Sequence, residues 1–260
     1  MALEFAHAGA SVAITYHTSQ DAAQNTVQEL RAASPIPQVA HFGAYEADLT
    51  QSAQLHALLP SLSAEGGTVT ALVNNAAIFR RTPYEALTEA DFDDQIAANL
   101  KAPYLLCKAF GDYFLAQGGG AILNMADVHG LRPLKNYVPY CVSKAGVVML
   151  TETMALALAP TVRVNCLCPG TMLPTAHTDS PHPPRADSEQ GQTHAWKEGT
   201  QSNREEGEAA QREAEMMKRL IPLGRIGTAH DVAEAARFLL FGPTYLTGTV
   251  LTLDGGRHLR

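Results

Sequence analysis

At 260 residues, with 46% hydrophobic and 17% charged positions, the chain has an ordinary globular composition and room for one α/β domain or two small ones. A formal net charge of −7 speaks against a nucleic-acid surface, which needs a basic patch. No apolar run approaches the roughly 18 residues of a membrane span, and Met1–Gly9 has neither the basic nor the long apolar region of a signal peptide, so the cytoplasm is the expected location.

Residues 1–9 read as the last turns of an amphipathic helix, with Leu3 and Phe5 apolar and Gly9 as the C-cap. A β-branched strand follows at 11–16 and ends in Tyr16-His17-Thr18-Ser19. A polar-faced helix over 20–33 stops at the proline turn 33–37. A strand over 38–44 leads to Asp48, which suits the N-cap of a helix near 51–60. The short apolar strand 68–73 precedes Asn74-Asn75-Ala76-Ala77 and then Phe79; a lone phenylalanine after a strand is usually core. A long helix over 91–117 contains Pro103, which predicts a kink and a carbonyl freed near Asn99. Gln117–Gly120 is a turn into strand 121–125, not a phosphate loop, because no helix opens after it, and that strand delivers Asp127. The helix over 136–159 carries Tyr140 and Lys144, with Val147, Val148 and Leu150 on its buried side, and a strand over 161–170 is closed by Pro169-Gly170. The cysteines 107, 141, 166 and 168 contain no C-x-x-C pair; reduced, mostly buried thiols are expected, and metal binding is not.

Tyr140 and Lys144, four apart, lie on one helix face with about 5–6 Å between Cβ atoms. An ammonium there favours the phenolate and lowers a tyrosine pKa from its usual value near 10, which suits general acid–base work. With Asp127 thirteen residues before Tyr140, and apolar strands on either side, this stretch resembles the short-chain dehydrogenase/reductase family. Within it, the stretch is similar to the pteridine reductase and dihydromonapterin reductase branch, which has aspartate where most of the family has serine. The resemblance covers about 1–174 and 221–256.

The resemblance implies a Rossmann-like α/β fold, a doubly wound parallel sheet in one domain over 1–260. It implies an oxidoreductase that uses NADPH to reduce a pterin or a related C=N or C=O substrate. Tyr140 would donate the proton, Lys144 would tune it and hold the nicotinamide ribose, and Asn99 would position a relay water. Asp127 as a carboxylate only accepts hydrogen bonds, so it would orient the N–H groups of a pterin, where a serine would donate to a ketone. Phe79 would stack on the pterin ring. Asp48 would border the adenine, Asn74 and Asn75 would lock the strand end while the small Ala76 and Ala77 let the backbone approach the cofactor, and Pro169, Gly170 and Thr171 would flank the nicotinamide. No aspartate closes the 16–19 turn, where one would select NAD through the ribose 2′-OH, so NADP is expected, with His17, Thr18 and Ser19 near its phosphate. Thr18 stands where pteridine reductases carry arginine. Leu253–Gly256 resembles the family's last strand and turn, and relatives commonly form tetramers through this end and the catalytic helix, so a homo-oligomer is expected.

Two stretches depart from the family pattern. In a dinucleotide-binding fold the first helix follows a strand and a glycine-rich turn that hold the pyrophosphate, and no such turn occurs in this sequence. The first strand is therefore expected to be missing, leaving unpaired backbone on both its neighbours. An internal methionine of a longer product explains this better than a true truncation, because the downstream site residues are intact. Residues 176–219 contain no Val, Ile, Leu, Phe or Tyr and cannot build a second core. They are expected to form a polar lid or insertion, loop-like to 203 and helical over 204–218, from which Trp196 or Met216 reaches substrate; His177, His182 and His194 are too irregularly spaced for a metal site. A carbonyl or 3-oxoacyl reductase of the same family, and a non-enzymatic relative deficient in cofactor, are the competing readings.

Overall fold

The computed structural model describes residues 1–64, 67–172, 215 and 218–259. The expected lid therefore lies outside the described residues apart from Glu215, Lys218 and Arg219, and with it Trp196, Met216 and the three histidines.

Six strands are described: β1 (Val12–Tyr16), β2 (Phe42–Glu46), β3 (Ala71–Asn74), β4 (Gly120–Met125), β5 (Val162–Pro169) and β6 (Val250–Leu253). All pairings are parallel, in a two-stranded sheet β1-β2 and a four-stranded sheet β3-β4-β5-β6. Among the described residues β1 and β3 are not hydrogen-bonded to each other. Side chains bring the two sheets together: Val12 of β1 and Val73 of β3 pack on one apolar cluster with Phe5, Leu123 and Leu239.

The helices α1 (Ala2–His7), α2 (Gln20–Ala33), α3 (Ser52–Ala64), α4 (Glu89–Ile96), α5 (Ala102–Gln117), α6 (Val138–Leu158) and α7 (Ala229–Phe241) cover the sheets. Strand periodicity sorts the core into layers. Ala121, Leu123 and Met125 of β4 face the cluster under α1 and α7, while Ile122 faces Phe110, Phe114 and Leu158 under α5 and α6. Full burial of each such side chain contributes about 1.5–3 kcal/mol. Gly9, at φ +84°, closes α1 as expected, with the Ala10 N–H donating to the Phe5 carbonyl.

Three local expectations shift. The strand expected at 38–44 is β2 at 42–46, because the N–H groups of Val39 and Ala40 turn back to the Ile36 carbonyl and the ladder with β1 begins at Val12↔Phe42. The single helix kinked at Pro103 is α4, a π turn at Ala97–Lys101, and α5 with Pro103 in its first turn. The Ala102 N–H bonds the Ala97 carbonyl, five residues back, and Pro103 has no N–H to give Asn99. Third, α6 is long and apolar enough to cross a membrane on length and composition alone. Its inward face carries Tyr140, Ser143, Lys144 and Thr151, all buried against the strands, which marks it as a core helix.

The 3₁₀ turn Val128–Gly130 lies directly on α6: a Cβ at Gly130 would stand 2.7 Å from the carbonyl carbon of Lys144. Both sides of that contact are backbone, so neither yields cheaply. Gly130→Ala is expected to destabilise the fold by about 1–3 kcal/mol in urea denaturation; an unchanged midpoint would show that the turn is not seated so closely.

Candidate active site

The site is assembled where β4 ends beside α6. Lys144 is only 4% exposed, and its ammonium donates to the Met125 carbonyl, the last of β4, at 2.9 Å. One turn earlier on the same face, the Tyr140 hydroxyl donates to Asp127 Oδ2 at 2.8 Å. The other oxygen, Asp127 Oδ1, accepts from the His129 N–H at 2.8 Å and so caps the 3₁₀ turn.

This geometry overturns the expected direction of the tyrosine's pKa. Burial, first, and then the charge and hydrogen bond of Asp127 push the Tyr140 phenol well above its ordinary value. The Lys144 ammonium stands 5.8 Å from the Tyr140 ring centroid. Burial lowers its own pKa. Tyr140 is therefore held as a neutral phenol whose proton points at a carboxylate.

Asn99 is buried, and its side chain is a brace. Its Oδ1 accepts from the Ile78 N–H at 2.8 Å, while Nδ2 donates to the Ile78 carbonyl at 2.9 Å and to Ser143 Oγ at 3.2 Å. Ser143 Oγ in turn donates to the Tyr140 carbonyl at 2.7 Å. With its amide taken by Ile78 and Ser143, the Asn99 side chain is not left to position a water. Clamping Ile78 also sets the next residue. Phe79 is 47% exposed, not core, and it stacks on Tyr137 at 4.5 Å between ring centroids while meeting Tyr140 edge-on at 4.6 Å. Sequence reasoning missed Tyr137, although its position three before Tyr140 places the two rings side by side.

The expected cofactor residues fall at the carboxyl ends of the parallel strands, where open α/β sheets bind ligands. Asn74, not Asn75, locks the end of β3: its amide donates to Asn124 Oδ1 at 2.8 Å, and Asn124 donates to Thr151 at 3.0 Å. Asn75, Ala76 and Ala77 are exposed. Pro169 ends β5, the Gly170 N–H donates to the Leu253 carbonyl at 2.9 Å, and the Thr171 hydroxyl accepts from the Arg257 guanidinium. Any Cβ at Gly170 would press on Asp254 at 2.5 Å, so β5–β6 packing already requires this glycine.

His17 and Asp48 meet at the ends of β1 and β2, 3.7 Å apart. Asp48 accepts from both the N–H and the hydroxyl of Thr50, which holds its carboxyl below the usual range. It shapes the turn before α3 and is not the N-cap, since α3 begins at Ser52. Thr18 and Ser19 are exposed, and the Ser19 side chain makes no capping bond to α2. Tyr140, Lys144 and the open backbone at 75–77 fit the nicotinamide–ribose half of a dinucleotide; the sequence supplies no glycine-rich turn for its pyrophosphate.

Cys166 and Cys168 share one face of β5, both buried, with sulfurs 3.9 Å apart and no disulfide, as expected. Among the described residues no cluster of ligands suits a metal ion.

The family model for short chain dehydrogenases matches residues 1–185. The D-threitol dehydrogenase of Mycolicibacterium smegmatis is 31% identical over 223 residues, covering 85% of this chain and 75% of the relative. A 3-oxoacyl-acyl-carrier-protein reductase of Staphylococcus epidermidis is 27% identical over 261 residues, covering 100% and 93%. Among solved structures, a short-chain type dehydrogenase/reductase from Mycobacterium marinum superposes with a TM-score of 0.76 at 26% identity, covering 98% of this chain and 88% of that one.

Replacing Asp127 by Asn leaves burial, the larger cause, but removes the charge that adds to it in holding the Tyr140 phenol protonated. Tyr140 is then expected to ionise at lower pH than in the parent, read as phenolate absorbance by difference against Tyr140→Phe. A titration that does not move would mean that Asp127 does not set the phenol's protonation.

Proposed function

The chain belongs to the short-chain dehydrogenase family, a family of NAD(P)-dependent oxidoreductases, and from that premise we propose that it uses NADPH to reduce a flat C=N or C=O substrate of the pterin class. The observation that carries this reading is the 2.8 Å bond from Tyr140 to Asp127 beside the exposed ring of Phe79. A carboxylate accepts and does not donate, so a substrate bearing N–H groups satisfies Asp127 and releases the Tyr140 hydroxyl. In the free site burial and Asp127 hold the proton on that hydroxyl, and turning it from Asp127 toward substrate removes the carboxylate's part of that hold. The bound dinucleotide supplies the hydride. Phe79, braced through Asn99 and backed by Tyr137, offers an aromatic wall to a planar ring. The choice of NADPH is supported by the absence of an aspartate at 16–19.

A second reading, a carbonyl or 3-oxoacyl reductase, is favoured by the activity named for the Staphylococcus relative. NADPH oxidation with a dihydropterin, a simple ketone and a 3-oxoacyl thioester separates the two. Tyr140→Phe is expected to lower kcat by about 10²–10⁴ on whichever substrate is used. Asp127→Ser is expected to lower kcat/KM for the dihydropterin more than for the ketone; equal losses would sink the pterin assignment.

We further propose self-association through the outer faces of α5 and α6. Val142, Met149 and Leu156 of α6, the last 83% exposed, form an apolar stripe beside exposed Tyr104 and Leu115 of α5. Met149→Glu is expected to reduce the solution mass measured by light scattering. An unchanged mass would move the interface elsewhere.

A further inference from the structure

The turn after Asp127 and the C-terminal turn enclose a cavity of about 280 Å³ with a histidine on each side, His129 and His258. Neither imidazole has a part in the site described above, yet both are held in the same way. At His258 the ring Nδ1 lies 2.9 and 3.0 Å from the two oxygens of Asp254, whose side chain is only 2% exposed. The His258 backbone N–H donates to the same carboxylate at 2.6 Å. At His129 the ring Nδ1 lies 3.3 Å from the Arg132 carbonyl, while the backbone N–H is the one that donates to Asp127.

Those contacts fix which nitrogen carries the proton. Asp254 is ionised: burial works against this, but the bonds it accepts from His258 and Gly256 hold its carboxyl below the usual range. A carboxylate and a carbonyl only accept, so in each ring Nδ1 is the donor, and in the neutral imidazole Nε2 is then an acceptor. Among the described residues neither Nε2 has a hydrogen-bond partner. The rest of the lining narrows what these acceptors can meet. Val128 and Leu134 are apolar. Arg132 donates to the His258 carbonyl at 2.6 Å and so ties the two turns together. Arg257 donates to the Thr171 hydroxyl, and a guanidinium carries five N–H donors in all. An anion only accepts and would leave both imidazoles unmatched; an ammonium only donates and would face the Arg257 guanidinium. A hydroxyl does both, and it can satisfy an imidazole and a guanidinium together.

We infer that His129 and His258 are specificity-determining residues that receive a hydroxyl group of the substrate, carried on a short carbon chain beyond the reducible bond. The inference rests on the reductase reading for the reacting end, but the cavity can be tested by binding alone. The probes are methyl ketones of increasing chain length that end in a hydroxyl, each with its methyl ether and its deoxy analogue. They are titrated into the full chain with NADP present and followed by ligand-observed NMR. The pH is about 8.5, where an imidazole of ordinary pKa near 6.5 is neutral. At the best length the alcohol is expected to bind about fivefold tighter than either analogue, the scale of one neutral hydrogen bond. His258→Asn keeps a donor for Asp254 in the place of Nδ1 and removes Nε2, and it is expected to cut the preference to about twofold or less. His258→Gln, which retains an acceptor near the place of Nε2, is expected to keep more of it. His129→Asn makes the same change on the opposite wall, so the test does not hang on one variant of the C-terminal turn. Alcohols that bind no tighter than their analogues at every length, or a preference that survives both asparagine variants, overturn the inference. A histidine-dependent preference in a protein that oxidises NADPH with neither these ketones nor a dihydropterin upholds the cavity and removes the reductase reading instead.

Discussion

The buried ammonium of Lys144 sets the geometry of the site. A charge taken out of water costs several kcal/mol unless it is hydrogen-bonded, and the acceptor here is the final carbonyl of β4. That bond fixes the rotation of α6 against the strand. With Lys144 at Met125, Tyr140 one turn back must face Asp127, two residues beyond the strand end, and Thr151 two turns on must face Asn124. The ties at 140, 144 and 151 lie on one helix face and run like a polar seam between apolar layers. A fourth, from Ser143 to Asn99, reaches across to the π turn and through it to Ile78 and Phe79. The aromatic wall and the acid are thus positioned by the same helix.

The sheet places a different constraint on the cofactor site. The nicotinamide-end residues sit on the four-stranded sheet, whereas His17 and Asp48 sit on the two-stranded one. Among the described residues no backbone ladder joins the halves; Phe5, Val12, Val73 and Leu123 do. Parallel edges left unpaired are reactive surfaces, and side-chain packing alone is a softer tie than a hydrogen-bonded ladder. The spacing of His17 and Asp48 from the Tyr140–Lys144 site therefore depends on an apolar cluster, while the Tyr140–Lys144 site is held by buried hydrogen bonds.

Much of this was legible in the sequence, and the misses share a cause. Gly9, the Tyr140–Lys144 face, the strand delivering Asp127 and the reduced pair Cys166 and Cys168 follow from local spacing. Local spacing also suggested that Lys144 governs the phenol, because it is four residues away. In the fold burial, and after it Asp127, thirteen residues away, push the phenol's pKa the other way. The π turn looked like a proline kink because the missing N–H of Pro103 is visible in sequence and the rewound ladder before it is not. Asn99 was legible as important, but its amide is consumed by Ile78, a partner 21 residues distant.

The bond from Tyr140 to Asp127 also bears on how the proposed substrate would engage the site. Burial and the adjacent carboxylate favour the phenol over the phenolate. The phenol can release its proton to a substrate only after it turns from Asp127, and Asp127, half-buried, then keeps just the His129 N–H. A ketone brings no donor to replace the lost bond, so in the proposed reaction Asp127, half-buried, would have to turn to solvent for its second partner. A ring with its own N–H groups replaces the bond as it binds, and the same exchange that orients it frees the acid. On the proposed reading the aspartate would thereby couple recognition of the substrate to release of the proton donor, which a serine, itself a donor to the carbonyl, would not do.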